Sequence, residues 1–82
     1  ISVIPNPSND QFQLAGTLIS GQQWALSITG MDGEIYWLQN GTTQNSGHIQ
    51  LYINTSAWPS GLYYYLLKHD SDISRGVIVV VH

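Results

Sequence analysis

Three histidines, His48, His69 and His82, are the only side chains whose ordinary pKa lies near neutrality, which makes them the first candidates for proton transfer or metal ligation. None stands in a ligand spacing such as His-x-x-x-His, and no Gly-x-Ser-x-Gly elbow offers a nucleophile for them to activate. His48 falls on the polar side of an alternating segment and His82 ends the sequence, so surface roles are expected. Asp70 and Asp72 resemble part of a Ca²⁺ loop, but a single Asp-x-Asp falls short of the roughly six oxygens such an ion takes. A turn is the simpler expectation there. Asp32 and Glu34 form a second acidic pair across a hairpin signal. Catalytic carboxylates need one member in an apolar pocket to separate their pKa values, and no such pocket is signalled. With no cysteine there is no thiolate site and no disulfide scaffold. These residue types predict no catalysis, no essential metal and no cofactor.

Trp24, Trp37 and Trp58 suggest a different chemistry, the stacking of indoles on sugar rings. Trp24 and Trp37 are expected instead to fill the core beside Leu26, Ile28 and Ile35, since tryptophan is highly buried on average. Trp58 precedes Pro59 in a turn-like segment and is expected to be the exposed one. Asn40-Gly41-Thr42 and Asn54-Thr55-Ser56 both fit the N-glycosylation pattern, as chance allows in a chain rich in Asn, Ser and Thr.

The elements that would carry these residues are short strands. The chain has 82 residues, 43% hydrophobic and 11% aromatic, enough for one small domain with a core and too apolar for intrinsic disorder. A domain of this size buries only about 60–65% of its unfolded surface, so moderate stability is expected. Lys68 and Arg75 are the only fixed cations and the net charge is −3. No cationic stripe is available to displace counterions from nucleic acid, nor to dock on anionic lipid. No apolar run approaches the roughly 20 residues of a membrane helix, so no membrane insertion is expected. Ile1 opens directly in strand-like sequence without a signal peptide, which fits a fragment of a larger secreted protein.

Aromatic and β-branched residues alternate with polar ones in runs broken by Gly, Asn, Asp and Pro. The pattern predicts about seven strands, over residues 2–4, 11–15, 24–29, 34–39, 48–53, 62–69 and 76–81, in an all-β antiparallel sandwich of immunoglobulin-like type. Phe12 and Leu14 should face inward opposite Gln11 and Gln13; Ile49, Leu51 and Ile53 should oppose His48, Gln50 and Tyr52. Residues 62–67 and 77–81 are apolar on both faces, as in central strands or strands covered by a neighbouring domain. Met31-Asp32-Gly33 after Thr29-Gly30 supplies a tight hairpin. Residues 40–47 read as a polar loop, and Asp70-Ser71-Asp72 as the close of the last hairpin. Pro5 and Pro7 remove two ladder donors and extend Ile4 and Asn6, ahead of a turn at Ser8-Asn9-Asp10. No repeat or linker divides residues 1–82.

Four segments in order resemble the C-terminal sorting domains of type IX (Por) secretion. Val3-Ile4-Pro5-Asn6-Pro7-Ser8-Asn9-Asp10-Gln11-Phe12 is similar to the family's opening "YPNPS", turn and aromatic-bearing strand. Leu26-Ser27-Ile28-Thr29-Gly30-Met31-Asp32-Gly33-Glu34-Ile35 resembles its second hairpin, where "D/N-x-x-G-K-x-V" is usual. Ser56-Ala57-Trp58-Pro59-Ser60-Gly61-Leu62-Tyr63-Tyr64-Tyr65 is similar to "L-x-x-G-x-Y-x-Y". Ser74-Arg75-Gly76-Val77-Ile78-Val79-Val80-Val81 resembles the basic-then-hydrophobic final strand. Glu34 stands where a basic residue is common and Gly76 where a second lysine is frequent, so Arg75 alone would supply a terminal cation.

The resemblance implies a signal read as a folded shape. It would direct a cargo through the periplasm and the outer-membrane translocon to the cell surface or beyond, and a sortase-like peptidase would then cut it off. The cargo of such proteins can be an enzyme; this domain would not be. Translocon recognition is expected at Pro5, Asn6, Pro7, Gly61, Tyr63, Arg75, Val77 and Val79, on a monomer. Gly61 would relieve strain where a turn enters a strand, and Tyr63 would bury its ring while its hydroxyl reaches a backbone partner. Two other readings stand beside this one, a carbohydrate-binding module and an immunoglobulin-like spacer of an extracellular enzyme.

Overall fold

The computed structural model describes residues 2–4, 10–18, 21–43, 47–69 and 72–82, with backbone alone for residues 2–4. The expectations for Pro5-Asn6-Pro7, for the Ser8-Asn9 turn and for Asp70-Ser71 lie outside the described residues. Among the described residues seven strands form: β1 (Ser2–Ile4), β2 (Gln11–Thr17), β3 (Gln23–Gly30), β4 (Ile35–Thr42), β5 (His48–Asn54), β6 (Gly61–His69) and β7 (Asp72–Val80). They make two antiparallel sheets ordered β1-β2-β5 and β4-β3-β6-β7. This is an immunoglobulin-like sandwich in which the fourth strand lies beside the third, on the second sheet.

Alternation explains which side chains meet between the sheets. Along β5 exposure alternates strictly, with Ile49, Leu51 and Ile53 buried and His48, Gln50, Tyr52 and Asn54 exposed. Phe12 pairs with Ile53 and Leu14 with Leu51, so the first sheet presents one apolar face. From the second sheet Trp24, Leu26, Ile28, Tyr63, Tyr65, Leu67, Ile78 and Val80 close onto it, and Trp58 joins from the β5–β6 connection. The predicted inward set of Phe12, Leu14, Ile49, Leu51 and Tyr63 is buried throughout.

Three expectations are corrected here. Ile35 is 56% exposed rather than in the core. The register slips between Ile28, which pairs with Trp37, and Thr29, which pairs with Ile35. Tyr36 is the extra residue of a β-bulge, and one extra residue reverses the facing of everything beyond it. Trp37 is only partly buried, packed against the core with its indole N–H donating to Gln39 Oε1 at 3.1 Å. Residues 40–42 are not loop but the end of β4, paired with Ala25, Trp24 and Gln23. Gly41 is needed there for close approach: an added Cβ would lie 2.8 Å from the Trp24 ring.

The last hairpin is longer than alternation suggested. β7 starts at Asp72, so Gly76 sits inside the strand opposite Tyr65 and an unbroken ladder runs from Gly61–Val80 to His69–Asp72. The Tyr65 ring lies over Gly76, where an added Cβ would fall 2.5 Å from it. The β3–β4 hairpin matches its signal: Gly33 has φ 84°, and Gly33 N–H donates to the Gly30 carbonyl at 3.0 Å.

Candidate functional site

The four segments singled out by motif converge unevenly, and the tightest convergence is at the corner between β5 and β6. Asn54 Oδ1 accepts from the Ser56 N–H at 2.9 Å, and the Trp58 N–H donates to the Thr55 carbonyl at 3.0 Å. Together they fold residues 54–58 into a compact turn, the ordinary use of an Asn side chain at a strand end. The Thr55 N–H ties this turn to the Asp10 carbonyl at 2.7 Å, where β2 begins.

Tyr63 locks the corner from the other side. Its ring is 3% exposed, and its hydroxyl donates to the Pro59 carbonyl at 2.5 Å. A tyrosine near the start of the sixth strand, bonding back a few residues upstream, is the tyrosine corner of immunoglobulin-like sandwiches. Gly61 opens β6 between these partners, with open space where a Cβ would stand. The expectation of a buried ring with a backbone-bonded hydroxyl is met at Tyr63.

Trp58 corrects the expectation of an exposed indole. It is 8% exposed, its ring 5.1 Å from Tyr63 and 5.3 Å from Tyr36, while Tyr36 and Tyr63 meet edge to face at 4.9 Å. Such tilted and edge-on contacts suit the ring quadrupoles. Trp58 therefore has no free face for a sugar ring, and the bulge that exposes Ile35 is what turns Tyr36 into this cluster. The signal in the sequence was the spacing of Pro59 and Tyr63; no periodicity pointed to Tyr36.

Desolvation in the cluster holds both phenols above their ordinary value of 10.0, with the charges of Asp32 and Glu34 adding to the effect. At Tyr63 its interaction with the Tyr36 hydroxyl works partly against that rise.

His82 closes over the same corner. The His82 N–H donates to Ser60 Oγ at 3.0 Å, and His82 Nε2 lies 2.6 Å from the Trp58 carbonyl. A carbonyl only accepts, so Nε2 must carry the proton. His82 is exposed as expected, yet it is tied down.

The other candidates stay apart. His48 is exposed on β5, and His69 Nε2 lies 3.0 Å from Ser74 Oγ across the β6–β7 hairpin. Among the described residues no group of three His, Cys, Asp or Glu could hold a metal ion. Asp32 Oδ1 accepts from the Glu34 N–H at 3.0 Å, so this carboxylate serves the hairpin turn. Asp72 is exposed at the start of β7, and its partner in the proposed calcium loop, Asp70, is outside the described residues. No helix is long and apolar enough to cross a membrane among the described residues.

Of the expected recognition residues, Gly61 and Tyr63 lie at the corner, and Arg75, Val77 and Val79 on β7. Arg75 and Val77 are exposed, Val79 partly so, and their side chains leave the sheet on the side away from the core residues Ile78 and Val80. The site is thus a braced corner joined by one hairpin to an outward row of side chains.

Compared with known proteins, the chain finds no match among curated sequences. A family model described as the secretion system C-terminal sorting domain matches residues 2–80, nearly the whole sandwich. The chain belongs to that family, the C-terminal sorting domains of type IX secretion.

Proposed function

We propose that this domain is the address of a larger cargo protein, read in folded form by the type IX outer-membrane translocon after passage through the periplasm. A sortase-like peptidase then separates it from the cargo at the cell surface. The family's role as a sorting signal, and export to the surface or the medium, come with membership. The observation that carries the finer reading is that the match spans residues 2–80 and so every strand, β1 to β7. A signal distributed over a whole sandwich is recognised as a shape. The domain acts as a monomer and without catalysis of its own.

Pro5, Asn6 and Pro7 serve that recognition from the segment ahead of β2 in sequence, and Gly61, Tyr63, Arg75, Val77 and Val79 serve it in two ways. Arg75, Val77 and Val79 supply side chains on the outer side of β7. Gly61 and Tyr63 act indirectly, by fixing the corner from which β6, the partner of β7, departs. The test is a reporter with an export signal fused to this domain, in a host with type IX machinery. Deleting residues 76–82 abolishes surface display, whereas Arg75→Ala, a surface change of well under about 1 kcal/mol, separates the charge from the fold. Display of the truncated fusion at the intact level would refute the proposal.

A further inference from the structure

The outer face of an antiparallel sheet in a small sandwich is ordinarily polar. The four-stranded sheet breaks that pattern. Ile35 (56% exposed), Leu38 (70%), Leu62 (38%), Tyr64 (44%), Ile73 (51%) and Val77 (44%) all project from its outer side. Pairing sets four of them in two rows across the strands, Leu38–Ser27–Leu66–Arg75 and Ile35–Thr29–Tyr64–Val77, with Leu62 and Ile73 in flanking rows opposite Val79 and Lys68. The inner strand β3 contributes only Ala25, Ser27 and Thr29 to this face, and a shallow depression lies over β6 between Tyr64 and Leu66, bounded by Ser27 and Thr29 on one side and by Arg75 and Val77 on the other. An exposed apolar area of this extent marks an interaction surface.

Charge says what kind. Lys68 and Arg75, the chain's only two fixed cations, are both exposed on this face, beside Ile73 and Leu66 respectively. Asp32 and Glu34 stand at the β3–β4 turn, Asp10 beside the other sheet and Asp72 at the hairpin end, so no described carboxylate lies within the face. A second copy packed face to face would bring no carboxylate from within its own face to meet Lys68 and Arg75, only Asp32 and Glu34 at its β3–β4 turn. Two cations are also few for an anionic bilayer, at about 1 kcal/mol each. Four strands about 4.8 Å apart and some eight residues long, at about 3.3 Å each, give roughly 500 Å² in projection. With side-chain relief this approaches the lower range of a specific protein interface, about 600 Å² per partner, as suits a transient reader.

We infer that this face docks a protein of the export machinery whose contact surface is apolar with carboxylates at one edge, placed to meet Lys68 and Arg75. The inference rests on the sorting role proposed above. Its test uses the same reporter fusion with Leu38→Ser/Tyr64→Ser and, separately, Lys68→Glu/Arg75→Glu. Each double variant, its fold verified by thermal melting of the domain, lowers surface display by about tenfold or more, the equivalent of about 1.4 kcal/mol of docking. Tyr52→Ser, exposed on the other sheet, leaves display unchanged. Should Leu38→Ser/Tyr64→Ser fail to fold, the charge-reversed variant decides alone. Normal display of folded face variants overturns the inference while leaving the sorting role intact; failure of the unaltered fusion to be displayed overturns the sorting role itself. A wild-type dimer in light scattering that Leu38→Ser/Tyr64→Ser converts to monomer also overturns it, since the occupant would then be a second copy.

Discussion

Tyr63→Phe tests the corner with the smallest possible change. It deletes one oxygen and keeps the ring, so the ring contacts to Trp58 and Tyr36 survive while the Pro59 carbonyl loses its donor and the Tyr36 hydroxyl its partner. A neutral hydrogen bond contributes about 1 kcal/mol net, and a buried group left without a partner costs about 1–3 kcal/mol. Pro59 is itself exposed, so water can reach part of that carbonyl and the lower half of the range applies. A loss of about 1–2 kcal/mol in a domain of this size lowers the melting temperature by roughly 5–15 °C. Tyr64→Phe is the control: its ring points outward and is 44% exposed, and surface changes of this kind stay within about 0.5 kcal/mol.

The same variant carries a pH signature. The Tyr63 phenol titrates above 10.0 in the folded state because burial disfavours its ionised form. The unfolded chain therefore ionises first. The contribution of Tyr63 to stability is complete below pH 10 and is lost as pH rises through the folded-state value, since there the native state binds more protons. Melting temperatures followed from neutral to strongly alkaline pH should fall more steeply for the wild type than for Tyr63→Phe, with Tyr36 supplying the residual slope. Equal melting of Tyr63→Phe and Tyr64→Phe at neutral pH would refute the account of the corner.

Gly41→Ala and Gly76→Ala should each cost about 1–3 kcal/mol by forcing the Trp24 or Tyr65 ring aside, measured by urea unfolding. Trp58→Ala should destabilise by about 3–5 kcal/mol, so any loss of function it causes will track unfolding in circular dichroism rather than loss of a surface ring. Chelation should leave the melting temperature unchanged; a large fall would revive a cation site around Asp72, because a ligand held only by the native state stabilises it.

Strand order in sequence, facing of residues and the sandwich class were legible because period-two alternation is a local signal. Phe12, Leu14, Ile49, Leu51 and Ile53 declare their face whatever their partners are. Ile35 and Trp58 were not legible, for related reasons. A bulge is a property of a pair of strands, and nothing within residues 34–39 marks the extra residue at Tyr36. Trp-Pro in a turn reads as exposed until Tyr36 and Tyr63, 22 and 5 residues away in sequence, are brought against it. Gly41 was misjudged in the same manner: a glycine demanded by a neighbouring ring looks in sequence like a glycine demanded by a turn.

The connection between the corner and β7 bears on how any deletion of the last strand is interpreted. Every residue of β7 pairs with β6, from Asp72 opposite His69 to Val80 opposite Gly61, and Ile78 and Val80 are fully buried. His82 then bonds the Ser60 hydroxyl and the Trp58 carbonyl. Removing residues 76–82 thus takes away buried side chains, half a ladder and the contacts that close the corner, so it destroys the surface and the scaffold together. The outward side chains can be changed without that consequence, because Val77 and Arg75 are exposed and alternate with the inward residues of the strand. A signal built in this way keeps its stability on one side of a strand and its readable chemistry on the other. The face variants, rather than the truncation, are what separate recognition from folding.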